Sequence, residues 1–79
     1  MLQPYEARLI IEYTQLVERH ELLGGMLKAW DADKLSFEPD CTKQQLYRQL
    51  DAMNYYILAL EGRNDFRELV EKGFVHVRK

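Results

Sequence analysis

The chain has 79 residues, 47% of them hydrophobic and 30% charged, with a net charge of -2. That size predicts one domain near the lower limit for a self-sufficient core, so a domain of this kind is either tightly packed or oligomeric. The balance leaves no basic face for DNA or RNA and no large acidic excess. A single cysteine, Cys41, excludes an intrachain disulfide and suits a reducing compartment. No apolar run approaches the ~20 residues that cross a bilayer, and Met1–Pro4 does not read as a signal peptide, so no membrane role is expected.

The first predicted element is a helix over about 4–30. Pro4 suits its first turn, and Glu6 complements its positive end. Leu9, Tyr13, Leu16, His20, Leu23, Leu27 and Trp30 then alternate by four and three, the seam of a helix packed along its length on another. Ile10, Val17 and Gly24 widen that stripe. Gly24-Gly25 costs about 1 kcal/mol per glycine relative to alanine. It implies a kink or, as the rarer outcome, close approach of a neighbouring backbone. His20 sits on the seam itself. Its readings are a register-fixing core histidine or a ligand contact.

Residues 31–41 form the connection, punctuated by Asp31, Asp33 and Pro39. Leu35 and Phe37 are expected to fold back over the open end of a hairpin. The second helix is expected over 42–63, opened by a Thr42–Gln45 capping box. Leu46, Leu50, Met53, Ile57 and Leu60 form its seam. Ala52, Tyr56 and Ala59 flank that seam on one side, Tyr47 and Leu58 on the other. The short connection predicts an antiparallel pair. The remaining stretch, 64–79, is an appendage. Asp65-x-x-Glu68 reads as a second capping box for a short helix stopping at Gly73. The β-prone Phe74–Lys79 tail is an edge strand, a docked arm or a frayed end. The expected fold is thus all-α: a two-helix hairpin in one domain, 1–79, oligomerising through helix faces.

No catalytic constellation emerges. Cys41 has no nucleophile context, and there is no H-E-x-x-H, C-x-x-C, EF-hand loop or phosphate-binding glycine pattern. The reading is therefore not an enzyme, with no cofactor and no metal. Tyr5 and Arg8, one turn apart, offer a ring for a base and a fork for a phosphate. The bland reading is a surface arginine over a tyrosine.

The motifs Pro4-Tyr5-x-x-Arg8 and Gln49-Leu50-x-Ala52-Met53-x-x-Tyr56-x-x-x-Leu60-x-x-Arg63 resemble small, mostly uncharacterised hairpin proteins of crAss-like and other tailed phages. That family is similar to the hairpin domain of anti-CBASS and anti-Thoeris sponges. These hold cyclic nucleotide or cyclic ADP-ribose immune signals between protomers, commonly of hexamers, without cleaving them. The resemblance implies a homo-oligomeric counter-defence protein in the host bacterial cytoplasm whose partner is a nucleotide-derived second messenger. Tyr5 and Arg8 carry over as ligand residues, and Arg63 matches the motif. His20, Lys28 and Arg48 join them because a nucleotide pocket needs cationic donors. The first helix departs from the family in carrying Ile10, Ile11, Leu22 and Gly24-Gly25, where lysine is more usual. The competing expectations are a protein-binding inhibitor of a bacterial defence system, such as an anti-CRISPR, and a structural accessory of the virion.

Overall fold

A computed structural model describes residues 1–78 as three helices without a strand: α1 (Pro4–Asp31), α2 (Lys43–Glu61) and α3 (Asn64–Glu71). The 28 residues of α1 span about 42 Å at 1.5 Å each. They set the long dimension of a molecule measuring 46 × 21 × 18 Å. No described helix is long and apolar enough to cross a membrane.

Pairwise contacts give the arrangement of α1 and α2. Asp31 meets Tyr47, Leu50 lies over Gly24, Glu12 meets Tyr56 and Tyr13 meets Glu61. The end of α1 therefore lies on the start of α2, and its first half on the end of α2. The expected seams are the contact lines. Leu9, Tyr13, Leu27, Ile57 and Leu60 are buried, and every other seam residue is half-buried. The flank residues Tyr47, Ala52, Tyr56, Leu58 and Ala59 stay exposed.

The caps explain the boundaries. At the start of α1, the Glu6 carboxylate accepts the Gln3 N–H at 2.9 Å. At its end, Lys34 N–H returns to the Ala29 carbonyl at 2.8 Å and Asp33 N–H to that of Trp30 at 3.0 Å. This is a Schellman closure with Asp33 at φ 57°, in the left-handed position usually given to glycine. Thr42 Oγ1 accepts the Gln45 N–H at 3.2 Å, half of the expected capping box. Gly73 at φ 81° closes α3 in the same way as Asp33 closes α1, with Phe74 N–H on the Leu69 carbonyl.

Three local expectations are corrected. Asp65 does not cap α3, because α2 ends at Glu61 and Arg63 takes the N-cap. From the first turn, Asp65 accepts the Phe66 N–H at 2.9 Å and two Arg63 nitrogens at 3.0 and 2.7 Å. Phe37 stays exposed, while Leu35 is half-buried. Gly24-Gly25 admits no neighbouring backbone. A Cβ on Gly24 would meet only the Leu50 side chain, at 3.8 Å, and one on Gly25 nothing within 4 Å. The helix runs through both glycines.

Of the three readings of the tail, the docked arm is the one realised over 74–78; Lys79 lies outside the described residues. Val75 is buried in the main cluster with Leu9, Tyr13, Ile57, Leu60, Phe66 and Leu69. The Phe66 ring stands 4.6 Å from that of Tyr13, tilted by 53°. The main cluster therefore sits at one end, where α3 and the tail cover the paired helices, and Leu27 is buried apart from it toward the other end.

Candidate functional site

The seam between α1 and α2 opens into a groove on each flank. On one flank, Val17, His20, Gly24, Lys28, Tyr47 and Leu50 enclose a groove of about 530 Å³, with Arg78 of the tail also in its wall. The α1 members share a face by the helical spacing of three and four residues. Tyr47 reaches the groove from the first turns of α2, on the flank assigned to it by the α2 pattern. Glu21 adds one negative charge to the lining.

The loop-end wall is held by polar contacts. Tyr47 donates its hydroxyl to Asp31. Lys43 approaches the same carboxylate at 3.1 Å, with its ammonium 5.2 Å from the Trp30 ring centroid. The Tyr47 bond, with Lys43 second, holds the Asp31 carboxyl below the usual carboxylate range. The same bond pushes the Tyr47 phenol up. Tyr47 is thus fixed at its tip while its ring remains partly open to solvent.

The other wall rests on the core. Tyr13, only 2% exposed, donates to Glu61 at 2.6 Å and accepts the Arg78 N–H at 2.9 Å. Burial pushes its phenol up, and the Glu61 bond adds to that. Arg78 Nη2 lies 2.6 Å from Asn54 Oδ1, and its Nε lies 3.4 Å from Glu61 Oε2.

A second groove, of about 560 Å³, lies on the opposite flank between Arg8, Arg19 and Tyr56, with Ile11 and Glu12 beside them. Tyr56 donates to Glu12 there.

The six residues expected to bind ligand separate on this frame. His20 and Lys28 meet in the first groove, while Arg8 lies in the second. Twenty residues of helix, about 30 Å, separate Arg8 from Lys28, so one small ligand cannot touch both within a single chain. Tyr5 is exposed near the start of α1 and lines neither groove, and Arg48 is exposed on α2. Arg63 is engaged by Asp65, which raises its pKa and lowers that of Asp65.

The sequence pattern places Tyr47 on a flank of the α2 seam, and no motif singles out Arg78. The position of Arg78 depends on where the tail docks, and no spacing rule carries that. Among the described residues, no three His, Cys, Asp or Glu side chains gather as a metal site.

One family model, Sequestin, matches residues 3–66. No curated protein and no solved structure matches the chain.

Proposed function

The chain belongs to the Sequestin family, and from that premise we propose that it sequesters a small ligand, without cleaving it, in the groove between α1 and α2. The observation that carries the reading is Gly24-Gly25. Two adjacent glycines inside a long helix cost about 1 kcal/mol each against alanine. Packing does not require either one, since a methyl at Gly24 makes ordinary contact and one at Gly25 meets open space. Both line the groove. Side-chain-free backbone there gives a ligand a flat floor, the use of glycine that offsets its cost.

The ligand class proposed is a cyclic nucleotide or cyclic ADP-ribose-type immune signal. Lys28 would neutralise phosphate, and the Tyr47 ring would face a base. His20 adds a donor or acceptor according to its protonation. On this reading the protein is a phage counter-defence sponge, not an enzyme, acting in the host bacterial cytoplasm. The fold is an antiparallel hairpin that assembles as a homo-oligomer, with a hexamer as the expected state. Support for assembly comes from Ile11, Leu22, Tyr55 and Leu58, all exposed. A second copy would also be the means of bringing the Tyr5–Arg8 end of one chain to the groove of another.

The test is calorimetry and thermal shift against cyclic dinucleotides, cyclic trinucleotides and cyclic ADP-ribose isomers, followed by heat release and chromatography. Saturable binding with intact ligand recovered is expected. The variant Gly25→Ala should fold, gain about 1 kcal/mol in stability, and bind the same ligand more weakly. No binding by the folded wild-type chain would overturn the reading. Unchanged affinity in Gly25→Ala would remove the glycine floor from it.

A further inference from the structure

We propose that Arg78, from the tail beyond the family-matched residues 3–66, completes an anion-binding site with Lys28 in the first groove. The proposal rests on the sequestration reading for the identity of the ligand, but the anion site has its own geometric basis. A guanidinium offers five N–H donors in a planar fork suited to phosphate oxygens. In Arg78, Nη2 is held by Asn54 and Nε by Glu61, while Nη1 has no partner among the described residues. The backbone N–H of the same residue is held by Tyr13, and Val75, three residues earlier, is buried in the core. The fork is therefore fixed at its base, and its side chain is one-fifth exposed.

Fixing matters because an arginine that must be ordered on binding loses rotamer freedom at that moment, whereas a held one does not. The formal charges around the groove balance, Lys28 and Arg78 against Glu21 and Glu61, so an anion's partners there are Lys28 and the open edge of the Arg78 fork. Lys28 is exposed and has no ion pair among the described residues. His20 contributes no fixed charge when neutral. Glu21 opposes the pair from the same groove, and Glu61 sits behind Arg78. Glu61 also accepts from Tyr13, so its carboxylate keeps a donor if the guanidinium turns further toward a ligand.

The tail consequently serves two roles. Val75 closes the core, and Arg78 carries a cation from that closed end into the groove wall. The ligand chemistry this fits is a compact anion of one or two phosphate groups.

The experiment uses the full ¹⁵N-labelled chain, titrated first with sodium pyrophosphate and then with the cyclic dinucleotides, cyclic trinucleotides and cyclic ADP-ribose isomers. With pyrophosphate, the Arg78 Nε–H resonance and the amides of Gly24, Gly25 and Lys28 should move together and saturate. Arg78→Gln should weaken binding about tenfold or more, the loss expected for a charge-assisted fork. Arg78→Lys should recover only part, since it restores charge without the fork. Lys28→Gln should also weaken binding, and it leaves the contacts with Tyr13, Asn54 and Glu61 intact, so loss of the tail cannot explain it. Pyrophosphate shifts confined to Arg8 and Arg19, or unchanged affinity in Arg78→Gln, would overturn the site. If pyrophosphate binds as described but none of these cyclic ligands does, the anion site stands and the nucleotide reading falls. If one of the cyclic ligands binds equally well to wild type and Arg78→Gln, the reading stands and the site falls. If no probe binds, both fall.

Discussion

The two ends of this molecule are built from the same pair of helices but solve different problems. At one end α3 and the tail cover the seam, and Tyr13, Ile57, Phe66 and Leu69 are almost wholly removed from solvent. At the other, which α3 does not cover, Leu27 is buried on the α1 side of the seam, but Leu46, Leu50 and Met53 of α2 remain half-buried. Two helices can shield only the line along which they touch; a third layer is needed to bury the residues beside it. The covered end supplies stability. The uncovered end keeps a groove in whose wall Tyr47 and Arg78 are tied at their tips by polar contacts. A chain this small has few apolar residues to place, and concentrating them at one end leaves the other free to bind.

The largest expected effect separates the ends by truncation. Phe66→Ala should cost about 3–5 kcal/mol, the range for deleting a fully buried aromatic side chain. Leu50→Ala, at a half-buried position, should cost roughly 1 kcal/mol, in proportion to the smaller apolar area it hides. Urea denaturation of both variants measures the contrast. Similar losses would mean that the uncovered end is as well packed as the covered one, through assembly with other copies.

A smaller effect tests the joint between the ends. Tyr13 links Glu61 to the Arg78 backbone, so Tyr13→Phe should cost about 1–3 kcal/mol by leaving both groups without that partner. It should also change the alkaline limb of stability. Burial raises the Tyr13 phenol in the folded state, with the Glu61 bond second. A raised folded value means full stability below the unfolded value of about pH 10, lost as pH rises through the folded value. The phenylalanine variant should be flatter over that window, and it retains the contribution of Tyr47, which Asp31 raises in the same sense. An unchanged alkaline limb would remove Tyr13 from the joint.

The same contrast marks how much was legible beforehand. The seams could be read because every Leu, Ile, Met or aromatic residue at four-three spacing has one face on which to hide. The helix ends at Pro4, Thr42 and Gly73 carried local signals, since caps are short-range chemistry. The halves of the seam looked alike in sequence, and nothing there distinguished the one that α3 would cover. Val75 and Arg78 fell in a β-prone tail, and their positions depend on a docking event that local propensity does not encode. Of the ligand-binding expectations, His20 and Lys28 share a groove because both lie on one stripe of one helix. Arg63 met Asp65 instead, two residues along the chain.

The smallest expected effect compares two exposed ion pairs, one at each end. Asp31 is lowered by its bond from Tyr47 and then by Lys43; Asp65 is lowered chiefly by Arg63. A depressed folded value gives stability that is complete above the unfolded value of about 3.9 and is lost as pH falls through the folded one. Both pairs are solvent-exposed, so screening keeps each contribution small. What differs is the structure each pair holds. Protonating Asp31 releases Tyr47 and Lys43 beside Trp30, where no third layer restrains them. Protonating Asp65 loosens the start of α3, but Phe66, next in the chain, stays anchored in the core. Trp30 is the single tryptophan and lies at the uncovered end. On acidification below about pH 4, its fluorescence should therefore change before the helical circular dichroism signal falls. Asp31→Asn should remove that early step, and Asp65→Asn should leave it in place. Coincident transitions in the wild-type chain would show that the two ends melt as one unit and that the groove is as firmly held as the core.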